Sequence, residues 1–217
     1  MALDADQKGS VRGGERVKSM RLIACVCLTM LLCLITASAQ GKSGEGKVRV
    51  LIQTEAGEIE VEIYPAKAPI TVANFLKYVG GGFYEGGVFH RTVRPDNQPN
   101  NNVKIEVIQA GVNPEKKDRG FEPVKLERTN QTGLKHVNGA VSMARSGPDT
   151  ATSDFFICIG DQPELDYGGK RNPDGQGFAA FGLVTRGMDV AKKIQQSPAD
   201  GQKLTPPVRI LKIKRKQ

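Results

Sequence analysis

A strict alternation of apolar and acidic side chains runs from Gly57 to Tyr64 and limits the possible folds more than any other feature of the sequence. The apolar members fall on one face and the acidic members on the other, namely Ile59, Val61 and Ile63 against Glu58, Glu60 and Glu62. A two-residue period is typical of a half-buried antiparallel strand. An apolar run at 48–54 precedes it across a turn at 55–57, so the two segments predict a β-hairpin.

Further short apolar runs follow along the chain, and clusters of glycine or proline separate them. They cover residues 87–93, 105–111, 139–144, 155–159, 178–184 and 208–214. Two long loops rich in polar residues and proline lie at 94–102 and 161–177. Glycine makes up 25 of the 217 residues, above the usual share of about 7%, which fits a chain with many tight turns. Short strands without a βαβ rhythm predict an antiparallel, mainly β protein.

Two segments have helical periodicity. Apolar residues within 72–79 follow the i, i+3, i+4, i+7 spacing of an amphipathic helix, with Thr71 as its predicted N-cap and three glycines after it. Residues 189–195 suit a second short helix. Together these elements predict a closed eight-stranded antiparallel β-barrel with two capping α-helices.

The N-terminal part has the three-part layout of a secretory signal peptide. Basic residues come first, an uncharged stretch of 14 residues follows at Leu22–Ile35, and a small-residue run ends at Ala39. As a helix this stretch would be about 21 Å long, shorter than the roughly 30 Å core of a bilayer. We therefore predict cleavage near Ala39 and an exported protein, either periplasmic or secreted.

This interpretation divides the chain into three parts. They are an N-terminal extension with a signal peptide at 1–39, a flexible Gly/Ser/Lys-rich linker at 40–47, and one β-rich domain at 48–217. Three alternatives stay open for the first part. The apolar stretch could be retained as a membrane anchor, Cys25 could lie in a lipidation site, and Met20 could be the true start.

The cysteines and charges exclude several kinds of site. Cleavage after Ala39 would leave Cys158 as the single cysteine, so no intramolecular disulfide could form. No metal site is predicted, because the two histidines have no second His or Cys at ligand spacing. Cleavage would also remove five basic and three acidic residues and lower the net charge from +8 to +6. The basic tail at 212–216 is interpreted as a solvated strand end, with contact to anionic lipid or nucleic acid as the alternative.

Four blocks of the sequence carry a resemblance to a known family. They are Phe89-His90-Arg91, Val107–Gly111, Ser142–Pro148 and Asp154–Cys158. In this order they resemble the FHR, QGG, SMA-x-x-GP and QFFI segments of the cyclophilins, which are peptidyl-prolyl cis-trans isomerases. The resemblance covers nearly all of the third part of the chain, which is therefore identified as a cyclophilin-like isomerase domain. It implies the family's eight-stranded barrel with two helices.

The resemblance also implies roles for ten residues. Arg91 corresponds to the catalytic arginine, and Gln109 to the glutamine that hydrogen-bonds the substrate backbone. The walls of the proline pocket correspond to Val107, Phe156, Leu165 and Phe178. The segment that pairs with the extended peptide corresponds to Ala144, Arg145 and Ser146. The substrate-gripping glutamine of the family is replaced by Asp154.

Rotation about an X–Pro bond breaks no covalent bond, so the implied reaction needs no cofactor. Its barrier is amide resonance, about 18–20 kcal/mol. A guanidinium aimed at the prolyl nitrogen favours the twisted amide over the planar one, which is electrostatic stabilisation of a transition state. We therefore expect proline-containing polypeptides as partners, no cofactor, no metal and no nucleic acid. We also expect a monomer, with membrane contact only if the signal segment is retained.

One departure from the family pattern concerns the wall of the pocket. Glu106 falls where the family has a pocket phenylalanine, and a buried carboxylate there would be costly. A loop inserted around 94–102 could shift the register, so that Ile105 or Val107 forms the wall instead. Since the chain has no Trp, we expect weak cyclosporin binding.

Other departures concern charged and titratable residues. An acid at Asp154 could pair with Arg91 or Arg145. His90 is expected to be a structural residue behind the arginine, and His136 to lie at the surface or in a loop. These departures leave an alternative function open, a weakly catalytic or non-catalytic cyclophilin-like chaperone that binds proline-containing peptides.

Overall fold

The strands of the described residues, 46–216, pair into one closed sheet in this computed structural model. They are β1 (Val48–Thr54), β2 (Gly57–Ile63), β3 (Val88–Val93), β4 (Val107–Gly111), β5 (Ala140–Met143), β6 (Phe155–Cys158), β7 (Ala179–Arg186), β8 (Ala199–Asp200) and β9 (Lys203–Arg215). The order is β1-β2-β7-β5-β6-β4-β3-β9, and β9 pairs again with β1. Eight strands therefore form a closed antiparallel ring, which β8 extends at β9, and the predicted barrel is confirmed.

Within residues 46–216, three α-helices accompany the barrel: α1 (Pro69–Gly80), α2 (Thr129–Thr132) and α3 (Met188–Gln195). The two longer ones are the predicted helices, with α1 against β7 and β9, and α3 against β2, β3 and β4. The short helix α2 is a single turn that the sequence pattern did not predict.

The predicted N-cap of α1 is wrong. The helix begins at Pro69, its N-cap is Ala68, and Thr71 lies within the first turn. The side chain of Glu127 instead accepts hydrogen bonds from the free backbone N–H groups at the start of α1. Its two carboxylate oxygens accept hydrogen bonds from Ile70 N at 3.1 Å and Thr71 N at 2.7 Å. A carboxylate at a helix N-terminus both caps the helix and interacts favourably with the helix dipole.

The alternating strand β2 places its side chains as its sequence predicts. Ile59, Val61 and Ile63 are at most 2% exposed, and each contributes about 1.5–3 kcal/mol through burial. On the outer face, Glu60 accepts a hydrogen bond from Lys216 Nζ at 2.7 Å and also pairs with Arg186. One charge of the basic tail is thus engaged with the barrel wall, which favours the interpretation of that tail as a strand end.

The sequence predictions for the N-terminus lie outside the described residues. These are the extension and signal peptide at 1–39 and most of the linker at 40–47, and they stay predictions. Within residues 46–216, no helix has the length and apolar character needed to cross a membrane. In the same part of the chain, no group of His, Cys, Asp and Glu could hold a metal ion. Cys158 is free and buried, and burial raises the pKa of its thiol.

Candidate active site

A cavity of about 750 Å³ opens beside β3, β4 and β6. All ten residues that the resemblance singled out line it: Arg91, Val107, Gln109, Ala144, Arg145, Ser146, Asp154, Phe156, Leu165 and Phe178. Their individual roles stay predictions, but the fold brings every one of them to a single place.

The sheet register explains how the central residues meet. In the antiparallel pair β3–β4, Arg91 lies opposite Gln109, and in the pair β4–β6, Gln109 lies opposite Phe156. Opposed residues of neighbouring strands point to the same face, with Cβ atoms about 4.5–5.5 Å apart. Arginine, glutamine and phenylalanine therefore form a row across three strands, although 65 positions separate the first from the last in numbering.

The Arg91 guanidinium is held by two neutral side chains. Its Nη1 donates to Gln109 Oε1 at 3.0 Å. Its Nε and Nη2 donate to Gln202 Oε1 at 2.9 and 2.6 Å. Within residues 46–216, Arg91 forms no ion pair, so its charge is fixed in direction without being neutralised by an acid. Partial burial lowers its pKa, although an arginine stays protonated at any ordinary pH.

The expected pairing of Asp154 with Arg91 or Arg145 is wrong. Its carboxylate accepts a hydrogen bond from Gln109 Nε2 at 3.2 Å and lies 3.7 Å from His90 Nε2. Asp154 thus orients the Gln109 amide so that its oxygen faces Arg91. The His90 side chain is 38% exposed and lies at this edge of the site rather than buried behind the arginine.

Arg145 has other partners, which explains why it does not reach Asp154. It forms a bidentate pair with Asp174, at 2.7 Å for Nη1 and 2.9 Å for Nη2, and Nε donates to Gly177 O at 2.8 Å. The hydrogen bond from Arg145 is the main reason that the pKa of Asp174 falls to about 2. This pair fixes the loop 174–177 against the segment that the resemblance assigns to peptide binding.

The apolar part of the cavity belongs to a small hydrophobic cluster separate from the main core. Its members are Val93, Ile105, Val107, Ala140, Phe156, Cys158 and Leu165, with Ala144 and Phe178 packed against them. The rings of Phe156 and Phe178 meet edge to face, with centroids 5.3 Å apart and an interplanar angle of 88°. Such a surface can hold a pyrrolidine ring out of water.

Glu106 does not lie in the wall of the proline pocket. Ile105 and Val107 line the cavity, whereas Glu106 is not among its lining residues. Its carboxylate instead accepts a hydrogen bond from Gln195 Nε2 at 2.9 Å, in α3. Ile105 and Val107 therefore form this part of the pocket wall, as the alternative to Glu106 predicted.

His136 lies in the loop between α2 and β5, as one of the two predicted alternatives has it, but a surface position is wrong, because the residue is 2% exposed. Its ring stacks on Phe156, with centroids 5.9 Å apart and planes 15° apart. Nδ1 lies 2.8 Å from Asp166 Oδ1, and Nε2 lies 3.0 Å from Ser142 Oγ. Burial lowers the pKa of His136, against the opposing effect of Asp166. This buried pair supports the aromatic floor of the pocket from beneath.

Sequence reasoning missed two residues that complete the site, Gln202 and Arg171. Gln202 holds Arg91, as described above, and its own Nε2 donates to Asn97 O in the inserted loop at 3.0 Å. Arg171 lines the cavity and donates through Nη1 to Gln98 Oε1 at 2.8 Å and to Val103 O at 2.7 Å. No sequence pattern could have identified either residue, because the partners lie far away in the chain.

Comparison with known proteins gives a consistent result. The sequence model of the family "Cyclophilin type peptidyl-prolyl cis-trans isomerase/CLD" matches residues 49–215. Peptidyl-prolyl cis-trans isomerase A of Dickeya dadantii is 38% identical over 179 residues, covering 82% of this chain and 85% of the relative. Peptidyl-prolyl cis-trans isomerase B of Escherichia coli is 37% identical, covering 69% of this chain and 72% of the relative.

A solved structure supports the same fold. The cyclophilin-type isomerase of Cryptosporidium parvum superimposes with a TM-score of 0.64, at 24% identity, over 79% of this chain and 99% of that one. The family match spans almost the whole barrel, and the relatives match at more than a third of their aligned positions. The chain therefore belongs to the cyclophilin-type peptidyl-prolyl cis-trans isomerase family.

Proposed function

We propose that this peptidyl-prolyl cis-trans isomerase acts through Arg91 and assists the folding of exported proteins. The observation that carries the first part is the fixed direction of the Arg91 guanidinium, held by Gln109 and Gln202 without an acidic partner in residues 46–216. A positive charge fixed in advance stabilises a transition state without having to reorganise during the reaction.

The mechanism follows from the two halves of the cavity. The apolar half, floored by Phe156 and closed by Leu165 and Phe178, holds the proline ring. The polar half then directs Arg91 at the prolyl nitrogen. As the amide twists, its nitrogen lone pair leaves the resonance and can accept a hydrogen bond, so the guanidinium binds the twisted form more strongly than the planar one. A related Cryptosporidium parvum isomerase has been solved in the presence of the dipeptide Ala-Pro, which supports proline-containing peptides as ligands.

The site residues can be tested with a protease-free isomerisation assay on a proline tetrapeptide. We expect Arg91→Ala to lower kcat/KM by about 100-fold or more, as for the loss of one fixed transition-state donor. Arg209→Ala is the matched control, because Arg209 is an exposed arginine of β9 outside the cavity. Full activity of Arg91→Ala would overturn the assignment of this residue.

The proposed role in the folding of exported proteins rests on the sequence layout of residues 1–39 and requires a separate experiment. We expect the purified mature protein to begin near Gln40, as N-terminal sequencing would show. We also expect it to accelerate the refolding of an exported protein whose slow phase is proline isomerisation, which otherwise takes about 10–100 s. An intact N-terminus, or refolding at the uncatalysed rate, would contradict this role.

Asp154 favours a second candidate function, the holding of proline-containing peptides with slow turnover. The carboxylate lies where the family has a substrate-gripping glutamine, and its hydrogen bond to Gln109 places a negative charge near the catalytic arginine. Under this alternative, Asp154→Gln would raise kcat severalfold, and the wild type would suppress aggregation of a client as well as Arg91→Ala does. An unchanged kcat in Asp154→Gln would exclude it.

A further inference from the structure

A second guanidinium, Arg171, shares the cavity with Arg91. Both side chains line it, and among residues 46–216 each donates its hydrogen bonds to neutral acceptors only. The Nη1 group of Arg171 uses Gln98 Oε1 and Val103 O. In residues 46–216 no hydrogen bond is made by its Nε or Nη2 group, so donors remain for a ligand.

The inserted loop fixes this second charge in place. Gln98 is 2% exposed, and its Nε2 donates to the carbonyls of Arg94 at 2.6 Å and Ile105 at 2.8 Å. Its Oε1 accepts from Ile105 N at 3.2 Å and from Arg171 at 2.8 Å. An arginine on a loop would otherwise lose considerable side-chain entropy on binding a ligand. Here much of that ordering has already occurred in the free protein.

Within residues 46–216, none of the other charged residues that line the cavity forms an ion pair with Arg91 or Arg171. Arg145 is neutralised by its bidentate pair with Asp174. Lys117 and Asp118 are adjacent in the chain and carry opposite charges. Asp154 is bound to Gln109 and lies beside His90 rather than beside Arg171.

The nearest acids along the chain from Arg171 have other partners: Asp174 pairs with Arg145, and Asp166 pairs with Lys135 and His136. The carboxylate of Glu164 accepts a hydrogen bond from Lys170 N at 2.8 Å. Burial and the charge of Arg91 lower the pKa of Arg171, so the two cations oppose each other in the free enzyme.

We propose that this isomerase selects peptides that carry an acidic side chain within two residues of the proline, and that Arg171 is the residue that recognises it. A carboxylate in the cavity would accept hydrogen bonds from the free Nε and Nη2 groups of Arg171. Its negative charge would also reduce the repulsion between the two guanidinium groups. This inference rests on the proposed function and defines its substrate class.

The test compares four peptides that differ at one position beside the proline, bearing Glu, Gln, Ala or Lys. The first and second residues on each side of the proline are varied in turn, in the protease-free assay. We expect kcat/KM for Glu to exceed that for Gln by about five- to tenfold at low salt, as for one charge-assisted contact in a partly exposed site. The Lys peptide should be the poorest. The preference should shrink in about 1 M salt, where the screening length is only about 3 Å.

Two variants assign the effect to one residue. Arg171→Gln should bring the Glu/Gln ratio close to one. Lys170→Gln removes one positive charge from the preceding residue, which does not line the cavity. It should leave the Glu/Gln ratio as in the wild type. Equal rates for Glu, Gln and Lys peptides would overturn the selectivity while leaving the isomerase function intact. A ratio retained in Arg171→Gln, or lost equally in Lys170→Gln, would overturn the role of Arg171. Absence of turnover with every peptide would refute the proposed function itself.

Discussion

Replacing Gln202 by leucine should slow the isomerase and leave the barrel folded. The Gln202 side-chain oxygen accepts two of the three hydrogen bonds that the Arg91 guanidinium makes within the described part of the chain, at 2.9 and 2.6 Å. Leucine has a similar volume but offers no acceptor. Only the bond to Gln109 would remain, so the guanidinium could turn about it towards solvent and lose its fixed direction.

The size of the effect follows from these contacts. A hydrogen bond to a charged group contributes about 1.5–3 kcal/mol. Both bonds end on the same oxygen, and Arg91 is half-buried, so water would replace part of what is lost. A net loss of about 1.4–2.7 kcal/mol of transition-state stabilisation corresponds to a fall of about 10- to 100-fold in kcat/KM.

The assay measures isomerisation without a coupled protease, together with solvent exchange of the Arg91 Nε–H group by NMR. A merely structural role for Gln202 would change neither the exchange rate nor kcat at constant folded fraction. Gln196→Leu is the control, since Gln196 is exposed at the end of α3 and lies outside the cavity. Activity of Gln202→Leu within twofold of the wild type, alongside an inactive Arg91→Ala, would refute the reasoning.

Two further predictions concern stability. The free energy of unfolding should decrease as the pH falls below about 6.5, because burial lowers the pKa of His136 and the unfolded chain then binds more protons than the folded one. His136→Gln should remove this part of the slope in urea unfolding, and an identical slope in both proteins would contradict the explanation. Gln98→Leu should lower the free energy of unfolding by about 2–4 kcal/mol, since it leaves the buried carbonyl of Ile105 without its partner. A change below about 0.5 kcal/mol in chemical denaturation would contradict that estimate.

Local patterns predicted the fold well, because they depend on neighbours in the chain. The alternation in 57–64 and the helical spacing in 72–79 each follow from burial of one face, and the structure contains both elements. The predicted last strand was too short. Two consecutive prolines, Pro206 and Pro207, made the sequence before residue 208 look unlike a strand, whereas β9 begins at Lys203. At the N-terminus of α1, an acid distant in sequence displaced the local candidate Thr71.

The site was predictable only as far as the motifs extend. The ten residues that the resemblance singled out reach one cavity, because most of them lie in or beside strands that neighbour one another. The partners that fix the charges were not predictable, since Gln202 lies 111 positions from Arg91 and Arg171 lies 73 positions from Gln98. The burial of His136 was missed for the same reason. Its partner Asp166 comes 30 positions later and makes an otherwise polar ring acceptable in the interior.

The pairing of β1 with β9 gives the chain an order of events during its synthesis. The strand β1 cannot pair with β9 until residues 203–215 have left the ribosome, so the ring closes late in synthesis. Gln202 lies directly before β9, so the hydrogen bonds that fix the Arg91 guanidinium form together with closure. A nascent chain whose residues 202–215 are still inside the ribosome therefore lacks both a sealed barrel and a fixed Arg91 side chain. Under the proposed mechanism, isomerisation begins only after this segment has joined the barrel.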